Sequence, residues 1–476
     1  MEMARQSFRE FLGEKISRRA VARNISLCGL SLPLVQMVSN SKLHAQSSEP
    51  KPSGTIVSKP VFTVAERNRR WEAVRRIMTK PQWNLDALLA PGNGDTAYPR
   101  YLTQIGGRGG SAEVIFPRDV SKPVFAFTGS GRNKSFWSKR LVSWTADGKL
   151  VINDGEGSKP IAEELKSLGL NKPTARIGVA KLTGSRFDPE GVVSVTFLEN
   201  LKTALPGVQF VGIEKWGADS GPIDEPAMVK SAEEHTAIRR CVAAGEKAIE
   251  TIARVARLPA KTQADIWFPT FTALFAETGE DPTRLSIALD EPSNATLGAP
   301  VDDPLKPGQI ISQEIDATVQ GYRAQVNHSI FVGEPSTPGF NYYKTAMEAA
   351  LKALNDSMAI IVPGETTCGQ LVDQYALIVE KMNADDRSGV VIHSSGIGNL
   401  SRPRLGPTNS RGDSDIILVP GMTFDFKPAL RVKRSVIQDT GRENRIVQIG
   451  EHFLITDNGA VRLGKRELKP MATEAA

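Results

Sequence analysis

Acidic and basic side chains occur two residues apart in segments that have the pattern of β-strands. Glu314 and Asp316 form one such pair, and Asp425 and Lys427 form another. Because successive side chains of a strand point to opposite faces, residues two apart share a face. Each pair should therefore point into one space, where carboxylates and an ammonium can form a buried ion pair or act as acid and base. The residue types leave both interpretations open.

Two histidines could carry protons near these pairs. An unperturbed imidazole titrates near neutral pH, which suits general acid–base catalysis. His393 lies two residues before Ser395 and should share its face, whereas His328 lies three residues after Gln325. We expect His393 to be the better proton carrier and His328 a second candidate, each with a structural role as the alternative.

The short motifs that mark common nucleophile, zinc and nucleotide sites are absent. The sequence has no GxSxG, no HExxH, no P-loop and no CxxC. Cys241 and Cys368 lie far apart, and we expect two buried free thiols rather than a disulfide.

Length and composition favour a globular protein of two or three domains, since the chain has 476 residues, 40% hydrophobic and 24% charged. No run of 18 apolar residues occurs, so no permanent membrane anchor is expected. The net charge of +6 does not indicate a nucleic-acid partner. Residues 1–45 hold seven Lys/Arg against three Glu, which leaves only +2 for the rest of the chain.

The amino-terminal segment resembles an export signal. Arg18 and Arg19 precede a modestly apolar run at 25–38 and a small-residue site near Ala45. This order is typical of a twin-arginine signal, which predicts a periplasmic protein; a basic helical or disordered terminus is the alternative. Residues 46–60 are rich in Ser, Pro and Lys and predict a linker.

The remaining chain divides into two predicted domains, 61–228 and 229–470. Short apolar runs alternate with helical stretches in the first, which predicts an α/β domain with partly parallel strands. Pro222 and Pro226 break structure at the boundary. Ser231 and Glu234 then form a capping box that opens a long helix, and strands with one further helix follow.

Five landmarks in this second domain resemble the creatinase/aminopeptidase P/methionine aminopeptidase superfamily. They are an opening helix, a hairpin, a glycine turn, a PGMxF strand and a closing hairpin, at 229–239, 307–333, 396–398, 420–424 and 455–459. The resemblance implies an α/β creatinase-like domain followed by an α+β pita-bread domain. It also implies a homodimer.

Metal-binding members of that superfamily hold two divalent ions with two Asp, one His and two Glu. The corresponding positions here are Glu314, Gln325, Ser395, Lys427 and Gly450, so one acidic ligand of four remains. The family's other pocket histidine should fall near 296–297, where none occurs. An ammonium among metal ligands repels the ions. We therefore expect no metal and no other cofactor.

The resemblance implies a pocket whose substrate-binding residues are Gln325, Ser395, Arg402, Arg404, Asp425 and Tyr322 and whose catalytic candidates are Glu314, Lys427, His393, His328 and Asp316. Since acidic ligands became neutral or cationic, we expect a small anionic substrate and an enzyme of hydrolase or lyase type. A non-catalytic binding protein and an Xaa-Pro-type metallopeptidase with an unusual site are the alternatives.

Overall fold

The structure is a computed structural model. It describes residues 62–92, 97–106, 112–140, 144, 148–153, 155–183, 190–214, 221–256, 261–290, 300–397, 402–406, 412–433 and 445–473. The predicted export signal and linker lie outside these ranges. Residues 54–476 form one compact unit. Within the described ranges no helix has the length and apolar character needed to cross a membrane.

The amino-terminal part carries a six-stranded mixed sheet. Its strands are β1 (Ala87–Ala90), β2 (Glu113–Pro117), β3 (Val124–Thr128), β4 (Gly148–Ile152), β5 (Arg176–Val179) and β6 (Gln209–Gly212), in the order β4-β3-β2-β1-β5-β6. The pairs β1/β5, β5/β6 and β3/β4 are parallel. Its helices are α1 (Val64–Met78), α2 (Ala97–Thr103), α3 (Gly131–Arg140), α4 (Lys159–Ser167) and α5 (Val195–Ala204). The predicted α/β character is confirmed.

The carboxy-terminal part carries a larger sheet of thirteen described strands. The helices are α6 (Asp224–Met228), α7 (Ala232–Val255), α8 (Gln263–Thr278), α9 (Phe340–Ala359) and α10 (Cys368–Lys381). The strands are β7 (Arg284–Leu289), β8 (Ile310–Val319), β9 (Tyr322–His328), β10 (Ile330–Phe331), β11 (Ala384–Asp386), β12 (Ile392–Ser394), β13 (Gly396–Ile397), β14 (Arg404–Leu405), β15 (Thr423–Phe426), β16 (Ala429–Val432), β17 (Val447–Thr456), β18 (Gly459–Arg462) and β19 (Met471–Ala472). The domain limits at 228 and 470 remain predictions.

The long helix α7 begins at the predicted capping box. The Ser231 hydroxyl accepts from the Glu234 backbone N–H at 3.2 Å, and the Glu234 carboxylate accepts from the Ser231 N–H at 2.7 Å. The helix packs on β8 and β9. A side chain at Gly245 would meet Val326 at 2.4 Å, so glycine permits this close approach.

The packing of α7 defines two faces of the sheet. Val326 points at the helix, and alternation therefore turns Gln325 to the opposite face. Antiparallel pairing aligns Asp316 with Gln325, Asp425 with His452, and His393 with Asp425. Directly paired residues share a face, so polar side chains of five strands meet on the side of the sheet that faces away from α7. We call this side the polar face.

Candidate functional site

Lys427 is the centre of a buried polar cluster on the polar face. Its ammonium donates to a Glu314 carboxylate oxygen at 2.9 Å and to the Gln325 side-chain oxygen at 3.1 Å. Only 5% of Lys427 and 4% of Glu314 is exposed to solvent. The sequence left open an ion pair or an acid and base, and the structure contains the ion pair. The Lys427 ammonium thereby connects three of the five positions at which the superfamily binds metal.

The second Glu314 oxygen is also taken, since the Arg284 guanidinium donates to it. Burial alone would raise the pKa of Glu314, but the attraction of Lys427 and Arg284 outweighs burial and lowers that pKa to about 2. Glu314 is therefore an ionised carboxylate with one cationic donor on each of its two oxygens, and these cations would repel a metal ion placed there.

His393 connects this cluster to Asp425. Its Nε2 lies 2.5 Å from the Gln325 side-chain oxygen and 3.3 Å from an Asp425 carboxylate oxygen. Burial, followed by the nearby cations, holds the pKa of His393 well below its usual range. Burial likewise raises the pKa of Asp425 well above its usual range, although Lys427 opposes it. Both shifts favour the neutral form of the group, and neither Asp425 oxygen has a hydrogen-bond donor among the described residues.

The rim of the cluster is basic. Arg323 forms an ion pair with Asp316 at 3.0 Å, and Arg404 lies directly opposite His393 on the neighbouring strand. Arg284 is the most exposed of the ion-paired groups in this cluster, with 43% of its side chain accessible. Four basic side chains, these three and Lys427, thus lie around the carboxyl groups of Glu314 and Asp316.

The last side of the cluster contains Ser395. Its hydroxyl lies 2.6 Å from His452 Nε2 and 2.7 Å from the Thr423 hydroxyl. Ser394, its neighbour, accepts from the Lys230 ammonium at 2.9 Å. Burial, only partly opposed by Glu234, lowers the pKa of Lys230 to about 8.

Two site residues expected from the sequence lie elsewhere. Tyr322 and His328 each lie three residues from Gln325 on β9. Because an odd spacing along a strand puts side chains on opposite faces, both lie on the helix side of the sheet. The Tyr322 hydroxyl donates to Glu234, and His328 Nε2 lies 2.9 Å from the Lys469 carbonyl oxygen. Burial lowers the pKa of His328 to about 3. The prediction that they contribute to this site is wrong.

Arg402 is engaged outside the cluster's centre. Its Nε donates to an Asp413 carboxylate oxygen at 3.0 Å, and the other oxygen accepts from the Arg404 backbone N–H at 2.9 Å. Positions 296 and 297, where the superfamily has a pocket histidine, lie outside the described residues.

The donor set does not fit the superfamily's two metal ions. Both Glu314 oxygens and the Gln325 oxygen already accept from cations or His393, and the Ser395 hydroxyl is held by His452 and Thr423. A side chain at Gly450 would come within 2.5 Å of the Asn327 amide oxygen. In the described part of the chain no three His, Cys, Asp or Glu side chains converge as metal ligands.

Several contributors escaped the sequence analysis, among them Lys230, Ser394 and Thr423. Arg323 lies two residues before Gln325, and His452 lies two residues after Gly450, so alternation from the ligand positions could have found both. Arg284 lies on β7, a strand that had not been identified, opposite Asp316. Its role depends on that pairing, which the sequence does not reveal.

Comparisons with known proteins agree with this fold. Residues 236–457 match the sequence model of metallopeptidase family M24. A methionine aminopeptidase of Chlamydia pneumoniae is 33% identical over 28% of this chain and 44% of its own length. An Xaa-Pro dipeptidase of Pyrococcus furiosus is 24% identical over 73% of this chain and 93% of its own. The chain thus spans less than half of the first of these relatives.

Solved structures extend the likeness to both sheets. The X-Pro aminopeptidase of Thermotoga maritima superposes with a TM-score of 0.63 at 17% identity, over 84% of this chain and 99% of that one. The N-terminal domain of the FACT complex subunit SPT16 from chickpea gives 0.61 at 14% identity, over 87% and 100%. Residues 236–457 therefore carry a metallopeptidase family M24 domain, and the chain has the fold of its solved neighbours, an α/β domain followed by a pita-bread domain. Its named relatives include peptidases.

Proposed function

We propose that this protein is a metal-independent enzyme that cleaves a C–N bond in a small anionic substrate. The observation that carries the proposal is the placement of Lys427. Its ammonium binds Glu314 and Gln325, two residues at metal-ligand positions of the superfamily. A cation fixed at the metal centre can polarise a substrate oxygen, which is one task of a catalytic metal ion.

Charge supports an anionic substrate. The four basic side chains of Lys427, Arg284, Arg323 and Arg404 outnumber the three carboxyl groups of Glu314, Asp316 and Asp425. Burial also raises the pKa of Asp425, which favours its neutral form. Arginine binds carboxylates with two parallel hydrogen bonds. Arg284 is the most exposed cation, so it can reach a substrate carboxylate while Lys427 continues to hold Glu314.

His393 and Asp425 are suited to proton transfer. Burial favours the protonated form of Asp425, and a carboxylic acid can donate a proton to a substrate atom. His393 Nε2, which donates to the Gln325 oxygen, lies 3.3 Å from an Asp425 oxygen, so the two groups can be parts of one proton-transfer site. This pair serves hydrolysis or elimination equally, so the reaction is hydrolase or lyase chemistry at carbon–nitrogen bonds.

The test is amine release from a panel of N-acyl and guanidino carboxylates in the presence of EDTA. We expect release that is undiminished by EDTA and reduced at least ~100-fold in Lys427→Met. A matched panel of cationic amides should not be cleaved. Release that requires added metal, or a preference for the cationic panel, would contradict the proposal.

A binding protein without catalysis is the second candidate. The SPT16 domain shows that this fold also occurs in a subunit of a larger complex, and the groups at the former ligand positions satisfy one another internally. If no panel member is turned over but carboxylates raise the melting temperature, this alternative is correct.

Export and dimerisation remain proposals that rest on the sequence. Replacing Arg18 and Arg19 with Lys should leave precursor in the cytoplasm if the twin-arginine interpretation holds. Light scattering of the mature protein should give twice the mass of one chain.

A further inference from the structure

A serine and a histidine form a close pair at the edge of the cluster. Ser395 Oγ lies 2.6 Å from His452 Nε2, within the range for a nucleophile and its general base. Ser395 lies between β12 and β13, and His452 lies on β17. The sequence places no recognised serine-nucleophile motif here, so only the fold brings the two together.

The Thr423 hydroxyl is the third partner in this hydrogen-bonded group, at 2.7 Å from Ser395 Oγ. Either hydroxyl can donate in that contact, and the chemistry below uses the arrangement in which Thr423 donates and the Ser395 proton points to His452 Nε2. Burial is the main cause that lowers the pKa of His452 to about 3, so the resting imidazole is neutral.

The pair is continuous with the proposed site. His452 lies directly opposite Asp425, which lies directly opposite His393, and His393 contacts the Gln325 oxygen that holds Lys427. Side chains paired in this way stand about 5 Å apart on one face. Only a few side chains of the polar face therefore lie between a substrate held at Lys427 and the Ser395 hydroxyl.

From this geometry we propose that Ser395 is a nucleophile activated by His452, so that C–N cleavage proceeds through an acyl-enzyme. The inference rests on the proposed function and selects hydrolysis over elimination. It also predicts the substrate class, a carboxylic amide, since an acyl carbon must be available for attack.

The steps balance with water as the only co-reactant. Ser395 Oγ bonds to the acyl carbon, and its proton passes to His452 Nε2. The C–N bond breaks as His452 gives that proton to the leaving nitrogen. Water then attacks the ester, its proton passes through His452 to Ser395 Oγ, and the carboxylic acid leaves. The net change is amide plus water to acid plus amine.

A fluorophosphonate reagent tests the pair without knowledge of the substrate, because attack by Oγ forms an O–P bond and releases fluoride. Intact mass and peptide mapping of the full chain should show one adduct, on Ser395. Ser395→Ala should not be labelled, and His452→Gln should be labelled at least ~100-fold more slowly. Ser357→Ala, which removes a buried hydroxyl on α9, should be labelled like wild type.

The outcomes separate this inference from the proposed function. Folded wild type that is not labelled, or that is labelled elsewhere, overturns the nucleophile. The nucleophile is also overturned if the His452→Gln variant has a lower melting temperature but is labelled at the wild-type rate, because the histidine is then structural. If Ser395→Ala still releases amine from the carboxylate panel, the proposed function stands and the covalent route fails. Labelling of Ser395 without amine release from any panel member contradicts the C–N reaction instead.

Discussion

Two buried ionic clusters contact strand β9, one at Tyr322 on the helix side and one at Gln325 on the polar face, and they differ in how their charges are satisfied. At the Tyr322 end, the guanidinium of Arg70 is fully buried and bonds Glu66 at 2.6 Å. The rings of Phe62 and Tyr101 lie 4.3 and 5.0 Å from it, and those of Trp144 and Tyr322 lie within 6 Å. We call this the aromatic cluster.

The cluster around Lys427 has no such aromatic enclosure in the described residues. Lys427 is bound only by polar groups, and Asp425 is buried with both oxygens lacking a hydrogen-bond donor there. Buried polar groups without partners are costly and concentrate where a ligand or a reaction needs them. Arg70 Nη2 and the Tyr101 hydroxyl also lack hydrogen-bond partners among the described residues, so the aromatic enclosure is what separates the two clusters. We expect the aromatic cluster to serve stability and propose that the Lys427 cluster serves function.

The largest stability effect should come from Arg70. Arg70→Met removes the cation shared by Glu66 and Glu234 and leaves two buried carboxylates without their inner partner. We expect a loss of about 3–5 kcal/mol in the free energy of unfolding, measured by urea titration. Arg69→Met is the matched control, because Arg69 pairs with the same carboxylates but is 37% exposed. Equal losses of unfolding free energy in the two variants would contradict the distinction between a buried and a partly exposed cation.

Low pH should destabilise the protein through Glu314, in the Lys427 cluster. Its folded pKa of about 2 lies below the unfolded value of 4.5, so the unfolded state binds more protons between these values. Stability from this group is present above pH 4.5 and is lost as pH falls towards 2. Glu314→Gln should reduce the loss of stability between pH 5 and 3, by up to about 2 kcal/mol. The control is Glu199→Gln, at an exposed ion pair, which should lose stability between pH 5 and 3 as wild type does. If Glu314→Gln also loses stability as wild type does, Glu314 does not form the buried ion pair.

The smallest stability effect is expected at Lys427 itself. Lys427→Met leaves Glu314 paired with Arg284, so only one of two counter-ions is lost. We expect about 1–2 kcal/mol in urea unfolding, well below the Arg70 variant, together with loss of substrate turnover. Lys202→Met, at an exposed ion pair with Glu199, should change neither the free energy of unfolding nor substrate turnover. A loss at Lys427 that matches Arg70 would show that this cluster, too, serves mainly stability.

Several features of the fold could be predicted from local sequence patterns. The capping box at Ser231 and Glu234 and the free, buried Cys241 and Cys368 are as expected. The ion pair between Lys427 and Glu314 also follows from strand alternation once their positions in the fold are known. The capping box and the thiols depend on neighbours in sequence or on composition, whereas the ion pair depends on the resemblance that places both of its residues at ligand positions.

What could not be predicted depends on pairing between distant strands. His328 was placed in the site by its closeness in sequence to Gln325, although an odd spacing turns it to the helix side. His452 was overlooked because the ligand position beside it is Gly450, which has no side chain. Its contact with Ser395 arises only because β15 pairs with both β12 and β17.

The central claim is that the ammonium of Lys427 occupies the place of the superfamily's metal ions. Elemental analysis of the purified protein, after dialysis against manganese and zinc and then metal-free buffer, tests it most directly. We predict well under one metal ion per chain, because Glu314 is the one carboxylate at the five ligand positions and both of its oxygens are bound by cations. One tightly bound ion per chain that is lost in Glu314→Gln or Asp425→Asn would contradict the claim.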